Sequence, residues 1–329
     1  MKCINKRFVR VCSLLLVCSL CTISGTGCGE NRLEDAFEAD LPGIGIQTSE
    51  ESSKIPYFAS DLCVTDTDVQ DIEADTEDAL AACFFNLNEK KVLYAKNIHE
   101  RMYPASTTKI MTALVALDKG DLDAQTTVSK EAITFSESGV STAKLKEGDV
   151  LTLRQLLYAL LTVSANDAAN VIAEQIAGSQ DAFVEMMNQE AQKIGATNTH
   201  FVNANGLHSE DHYTTVYDLY LMFNAAMQHE EFLQMLQEKE YQASYQAADG
   251  TTVEAVWSTT NQFTKGDVTV PDGVTAVGGK TGTTTAAISC LVQLFEDAQG
   301  EQYVAIILGC KERGILYQEM QTFLSNLNN

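Results

Sequence analysis

Proline is scarce, with four in 329 residues, and tryptophan occurs once. That excludes a proline-rich scaffold. Basic residues are scarce too: 22 Lys+Arg stand against 45 Asp+Glu, for a formal net charge of −23. A nucleic-acid surface needs clustered cations to displace counterions, so this balance argues against nucleic acid as a partner. Beyond residue 28 no C-x-x-C pair occurs, which leaves no hint of a zinc ribbon or a thioredoxin-type redox site there. No internal repeat is visible. What is present, 45% hydrophobic and 20% charged residues, is ordinary for a chain that buries a core.

The basic residues are unevenly placed. Residues 1–27 hold Lys2, Lys6, Arg7 and Arg10 and no acid, then the apolar run Val11 to Leu20, then Ser24-Gly25-Thr26-Gly27. A basic start, a short apolar core and a small-residue exit describe an export signal. The run is too short for a comfortable spanning helix. Cys28 follows at once, where a bacterial lipoprotein signal is cut and its cysteine lipidated, although Gly25 replaces the aliphatic residue usual three positions earlier. The expectation is an exported chain on the outer face of the membrane, held by lipid on Cys28, or secreted if the signal is simply cleaved. Two acyl chains on one cysteine anchor firmly where one does not.

Residues 29–80 contain fifteen acids and two bases, Arg32 and Lys54. Little periodicity runs through them, so 28–78 is expected to be a self-repelling, extended linker. One apolar island, Tyr57 to Val64, could dock on a folded part. Of the nine cysteines, Cys63, Cys83, Cys290 and Cys310 lie beyond Cys28. The last three sit in apolar runs, as small buried hydrophobes do. Export permits a disulfide without establishing one.

Pattern predicts one α+β domain over 79–329. Residues 80–86 and 91–96 read as a hairpin around Leu87-Asn88-Glu89-Lys90. Residues 106–118 read as a buried helix, apolar nearly all round from Ile110 to Leu117. Residues 152–162, 166–177, 181–194 and 215–228 look helical, with Asp167 and Asp181 near helix starts. Residues 240–258 return to strand with Asp249-Gly250 at the turn. Strands follow over 286–295 and 302–310, and a helix over 313–327. The simplest packing is an antiparallel sheet built from both chain ends with a helical subdomain inserted.

Three short motifs carry chemistry. Ser106-Thr107-Thr108-Lys109 is an S-x-x-K; residues three apart on a helix share a face, so Lys109 can activate the Ser106 hydroxyl as its base. Backbone N–H groups at the helix start can face a developing oxyanion. A second S-x-x-K, Ser141 to Lys144, precedes no apolar helix and is set aside as coincidence. Ser164-Ala165-Asn166 is an S-x-N in a break between two predicted helices, fit to relay a proton and grip a peptide, though Asn166 alone could simply cap a helix. Lys280-Thr281-Gly282 is a K-T-G expected at the start of a strand; it offers a cation, a hydroxyl and a close backbone approach, with Thr283 next as a backbone donor. Each motif alone is weak. Together, in this order, they are the signature of penicillin-binding proteins and serine β-lactamases.

The chain resembles the low-molecular-mass penicillin-binding proteins that are serine-type D-alanyl-D-alanine carboxypeptidases. Tyr103 to Ala113, Ser164 to Ala169, Phe201-Val202-Asn203 through Gly206-Leu207, His212 to Thr215 with Asp218, and Gly279 to Gly282 carry the resemblance over about 80–311. It implies a β-lactamase/transpeptidase-like fold and hydrolysis of the terminal D-Ala-D-Ala bond of a peptidoglycan stem pentapeptide. Ser106 would be the nucleophile, Lys109 its base, Ser164 and Asn166 the proton relay to the leaving D-alanine. Lys280 and Thr281 would hold the carboxylate, with Gly282 and Thr283 beside them. β-Lactams would acylate Ser106. The resemblance implies no metal and no cofactor. Three departures stand out. Ile288 follows Ala287 where the family often has Ala-Gly. The 86–90 turn lacks the family's Asp and Thr-Gly. With one helix after its last strand, the chain is expected to lack the β-rich second domain and terminal anchoring helix of many members.

Other readings fit less well. A class A β-lactamase usually has Ser-Asp-Asn and a Glu-Asn loop for deacylation, but Ala165 stands in the middle here and no such loop is found over 167–230. A non-catalytic penicillin sensor would be fused to a spanning region. A zinc peptidase would need H-E-x-x-H, whereas His208-Ser209-Glu210-Asp211-His212 lacks Glu after the first His.

Overall fold

The computed structural model describes residues 59–327. The export signal, Cys28 and the linker up to residue 58 lie outside the described residues. The main sheet has six strands in the order β1-β3-β2-β10-β9-β8, every pairing antiparallel. They are β1 (Val69–Gln70), β2 (Ala81–Asn86), β3 (Lys91–Lys96), β8 (Thr275–Thr284), β9 (Ile288–Glu296) and β10 (Gln302–Cys310). Strand β10, from the far end of the chain, pairs with β2, as expected of a sheet built from both ends.

Side chains alternate across a strand, so an unbroken apolar run must be covered on both faces. On β2 and β10, Cys83, Phe85, Val304 and Ile306 enter the core under the helices. Their neighbours Ala82, Phe84, Ala305 and Ile307 enter a second core on the opposite face. The last helix, Arg313–Leu324, covers that second face through Leu316, Met320 and Phe323, with the Phe323 ring stacked 5.3 Å from Phe84.

The inserted helical part consists of α1 (Lys109–Lys119), α2 (Leu153–Leu161), α3 (Asn166–Ala177), α4 (Gln180–Lys193), α5 (Val216–Ala226) and α6 (Glu230–Gln237); α7 (Gln262–Lys265) and α8, the last helix, complete the set. Helix α1 is buried from Lys109 to Ala116 and forms its axis. Its all-round apolarity follows from having protein on every side. Helix α2 is held by a capping box of Thr152 and Gln155.

Five expectations are corrected. Ser106 does not open the α-helix: Ala105–Thr108 is a 3-10 turn and α1 starts at Lys109. The K-T-G lies in the second half of the ten-residue β8, whose Gly278-Gly279 interrupts the strand pattern in sequence. Residues 240–258 do form a hairpin, β6 (Glu240–Gln246) with β7 (Thr252–Ser258), but it joins β4 (Gln125–Thr127) and β5 (Val150–Thr152) in a separate four-stranded sheet. Three-residue strands are too short to show alternation. Helix α6 has no counterpart in the sequence reading.

The linker expected over 28–78 gives way to folded structure well before residue 78. From residue 59 the chain is packed on the domain. Cys63 is buried; its N–H donates to Tyr220 Oη at 2.9 Å, and Tyr217 Oη donates to its carbonyl at 3.1 Å. Strand β1 pairs with β3, and the Asp68 carboxylate accepts from the N–H groups of Asn97 (2.9 Å) and Ile98 (3.1 Å). Glu319 accepts from Asp78 N–H at 2.7 Å. Several of these acids serve as hydrogen-bond acceptors rather than as a repelling run. The four described cysteines are free and buried, as small hydrophobes.

Candidate active site

The three motifs converge where α1, the α2–α3 break and β8 meet. Ser106 sits in the 3-10 turn behind the buried Pro104 and Ala105, and Ala105 has φ +48. An L-residue held there stores strain that its surroundings must impose. Gly206 is pressed against that turn: a Cβ on it would lie 2.0 Å from the Ala105 carbonyl oxygen. Gly282 of β8 closes from the other side, where a Cβ would meet Pro104 O at 2.9 Å and Ser106 N at 3.0 Å. Glycine is therefore what lets the strand reach the nucleophile's backbone N–H.

Lys109 is fully buried, with Nζ 2.9 Å from Ser106 Oγ. Nζ also donates to Asn166 Oδ1 at 2.7 Å and to the Asn205 carbonyl. Burial, and next the charge of Lys280, hold its pKa well below the ordinary 10.5; Asp167 opposes them. Three partners would saturate an ammonium. A neutral amine instead donates to Asn166 and Asn205 and accepts the Ser106 proton, which is the arrangement a base requires.

Lys280 is the second fully buried cation. Its Nζ donates to Ser164 Oγ at 3.0 Å and to the Thr281 carbonyl at 2.8 Å. Burial, helped by Arg313, lowers its pKa to about 7. Ser164 has φ +59, in the break between α2 and α3, and Asn166 is the first residue of α3. Asp167 is tied to the N–H groups of Ala143 (2.9 Å), Leu145 (3.1 Å) and Ala168 (2.9 Å). Burial raises its pKa against those bonds. It acts as a brace for the 138–149 loop.

All eight predicted site residues thus lie in one place: Ser106, Lys109, Ser164 and Asn166 on the helical side, Lys280, Thr281, Gly282 and Thr283 on the strand. The second S-x-x-K is in a loop, where Ser141 Oγ donates to Val163 O at 2.7 Å and Lys144 is exposed with φ +62. His212 is buried between Thr108 Oγ1 (2.8 Å from Nε2) and the Val202 N–H (3.1 Å from Nδ1), and burial pushes its pKa down to about 3. It is a structural neutral imidazole, and no group of metal ligands occurs among the described residues.

Sequence reasoning missed three contributors. Asn205 supplies a backbone carbonyl, for which residue type carries no signature. Arg313, first in α8, places a guanidinium nitrogen 3.3 Å from Thr283 Oγ1. Thr260 Oγ1 lies 2.6 Å from Thr281 Oγ1. The site can bring a buried base to a serine, offer backbone N–H to an oxyanion, and present cations to a carboxylate.

Comparison with known proteins agrees. The family model described as D-alanyl-D-alanine carboxypeptidase matches residues 68–312. D-alanyl-D-alanine carboxypeptidase DacF of Bacillus subtilis is 38% identical over 156 residues, 46% of this chain and 40% of DacF. DacC of Escherichia coli is 31% identical over 267 residues, 78% of this chain and 62% of DacC, so this chain spans well short of the full length of both. DacB2 of Mycobacterium tuberculosis is 35% identical over 242 residues, 73% of this chain and 78% of DacB2. Among solved structures, the Streptomyces K15 DD-transpeptidase superposes with a TM-score of 0.71 at 28% identity, covering 77% of this chain and 98% of that one. The fold is thus that of the DD-transpeptidases, and with its family model matched over more than half of its length, the chain belongs to the D-alanyl-D-alanine carboxypeptidase family, peptidase family S11.

Proposed function

We propose that the protein hydrolyses the terminal D-Ala-D-Ala bond of peptidoglycan stem pentapeptides through an acyl-enzyme on Ser106. The observation that carries this is Lys109 Nζ, buried, depressed in basicity and 2.9 Å from Ser106 Oγ. Ser106 Oγ attacks the carbonyl carbon of the penultimate D-alanine while Lys109 takes its proton. The oxyanion is met by the backbone N–H groups of Ser106 and Thr283. As the tetrahedral species collapses, the C–N bond breaks and Ser164, steadied by Lys280 and with Asn166 orienting, passes a proton to the leaving amine. Lys109 hands the Ser106 proton on to Ser164 and is neutral again. Water then attacks the ester and gives a proton to Lys109, which passes it to Ser106 Oγ as the acyl bond breaks and the shortened peptide leaves. Lys280, Thr281 and Arg313 hold the terminal carboxylate, Gly282 letting the peptide lie close. β-Lactams, as mimics of the dipeptide, acylate Ser106.

D-alanine release from a D-Ala-D-Ala pentapeptide tests this. Ser106→Ala should lose several orders of magnitude in kcat, because residues of a covalent mechanism act as a unit. Undiminished release would refute the mechanism.

The export signal and the cysteine behind it support a location on the outer face of the membrane, with the mature chain anchored by lipid on Cys28 and its acidic linker spacing the domain from the surface. Mass spectrometry of the mature amino terminus tests that: an unmodified terminus at any other residue excludes it.

A further inference from the structure

Thr260 has no role in the chemistry above, yet its hydroxyl is the partner of a substrate-holding one. It follows β7, and the segment around it is pinned on several sides. Thr259 N–H donates to Lys239 O at 2.8 Å, and Thr260 N–H to Thr162 O, two residues before Ser164, at 3.1 Å. Asn261 Nδ2 donates to Gln293 Oε1 on β9 at 2.7 Å, and Asn261 Oδ1 accepts from Phe263 N–H at 3.0 Å. Thr260 Oγ1 is thereby fixed 2.6 Å from Thr281 Oγ1. Among the described residues, neither hydroxyl has another hydrogen-bond partner.

A hydroxyl carries one proton and two acceptor sites. Within this pair, either Thr260 donates and Thr281 keeps its proton free, or Thr281 donates and turns only lone pairs outward. A carboxylate accepts and cannot donate, so it can bind Thr281 only in the first state. A bound carboxylate therefore selects the first state, in which Thr260 gives its proton to Thr281 and Thr281 gives its own to the substrate. A hydrogen bond received by Thr281 also polarises the one it gives.

We propose that Thr260 is a positioning residue that keeps the Thr281 hydroxyl a donor toward the substrate's terminal carboxylate, and so helps set selectivity for a free carboxyl end. This rests on the reading that Lys280 and Thr281 hold that carboxylate. By joining Thr162 to Thr281, the same residue couples the loop that carries Ser164 to the substrate strand.

The test compares kcat/KM for a D-Ala-D-Ala pentapeptide with that for the same peptide ending in a carboxamide. Wild type should prefer the free acid. Thr260→Val, close in shape but without the hydroxyl, should lose about tenfold on the free acid, the scale of one hydrogen bond to a charged group, and little on the amide. Thr260→Ser should restore the preference. Thr260→Ala gives the same readout should the valine methyl disturb packing. Equal losses on both peptides would make Thr260 merely structural, and a wild-type preference retained in the valine and alanine variants would also overturn the proposal. Absence of any preference in wild type would instead remove the carboxylate reading of Lys280 and Thr281, and this inference with it.

Discussion

Lys280→Met should change how stability depends on pH, and the direction can be worked out from the site. Lys280 is fully buried, and its pKa falls from the ordinary 10.5 to about 7 through burial first and Arg313 second. At about 1.4 kcal/mol for each tenfold change in proton affinity, the folded state carries a penalty of roughly 5 kcal/mol when the amine is charged. Between about pH 7 and 10.5 the unfolded chain binds the proton and the folded chain does not, so stability rises with pH. Below about 7 both states are protonated and the penalty is fully present. Methionine fills the space without a charge. It also leaves Ser164 Oγ without its partner, a cost of about 1–3 kcal/mol independent of pH in this range. Urea unfolding of both proteins from pH 6 to 10 reads the difference. Wild type should gain on the variant by about 1.4 kcal/mol per pH unit above about pH 7. Parallel stability curves would show that the Lys280 amine keeps its ordinary proton affinity in the folded state and would refute the argument. The variant should also bind the acid-ended peptide poorly, however stable it becomes.

Gly282→Ala should cost far more activity than stability, because its Cβ would lie 3.0 Å from Ser106 N and 2.9 Å from Pro104 O; overpacking of this kind costs about 1–3 kcal/mol, and slowed acylation by a fluorescent penicillin reads the loss at the site. Penicillin bound to Ser106 should persist as an acyl-enzyme, since the nearby carboxylate Asp167 is committed to three backbone N–H groups; repeated penicillin turnover in a stopped-flow assay would contradict this. Asp68→Ala removes the acceptor for Asn97 and Ile98 N–H and should cost about 1 kcal/mol, or roughly 2–4 °C in Tm by calorimetry.

What the sequence makes legible is what local spacing encodes. Ser106 and Lys109, three apart, and Ser164 and Asn166 around a helix break announce themselves, as does the hairpin of residues 81–96. Three kinds of feature are hidden. A carbonyl such as that of Asn205 is common to every residue. Thr260 and Arg313 reach the site only through folding, from positions that no local pattern links to Thr281 or Thr283. And the docked stretch from Cys63 to Asp78 is masked by its own charge, because an acid that accepts backbone N–H bonds looks in sequence like one that repels its neighbours. Ile288 is a mixed case. Its departure from the family's usual glycine is visible in sequence, and the structure holds it at φ +58, a conformation costly for a β-branched residue.

The pairing of β10 with β2 has a consequence for the order in which the protein comes into being. Phe85 waits for Val304, more than two hundred residues later, before its strand has a neighbour on that side. Closing so long a loop is slow, because its entropy is lost before the non-local contacts that repay it have formed. Until residues 302–310 arrive, β2 and β9 each present an open, apolar edge able to pair with another chain. A chain emerging amino end first therefore cannot complete its central sheet early. In the export proposed above, that delay keeps a chain crossing unfolded threadable, and residues 302–327 are the step that commits it to structure.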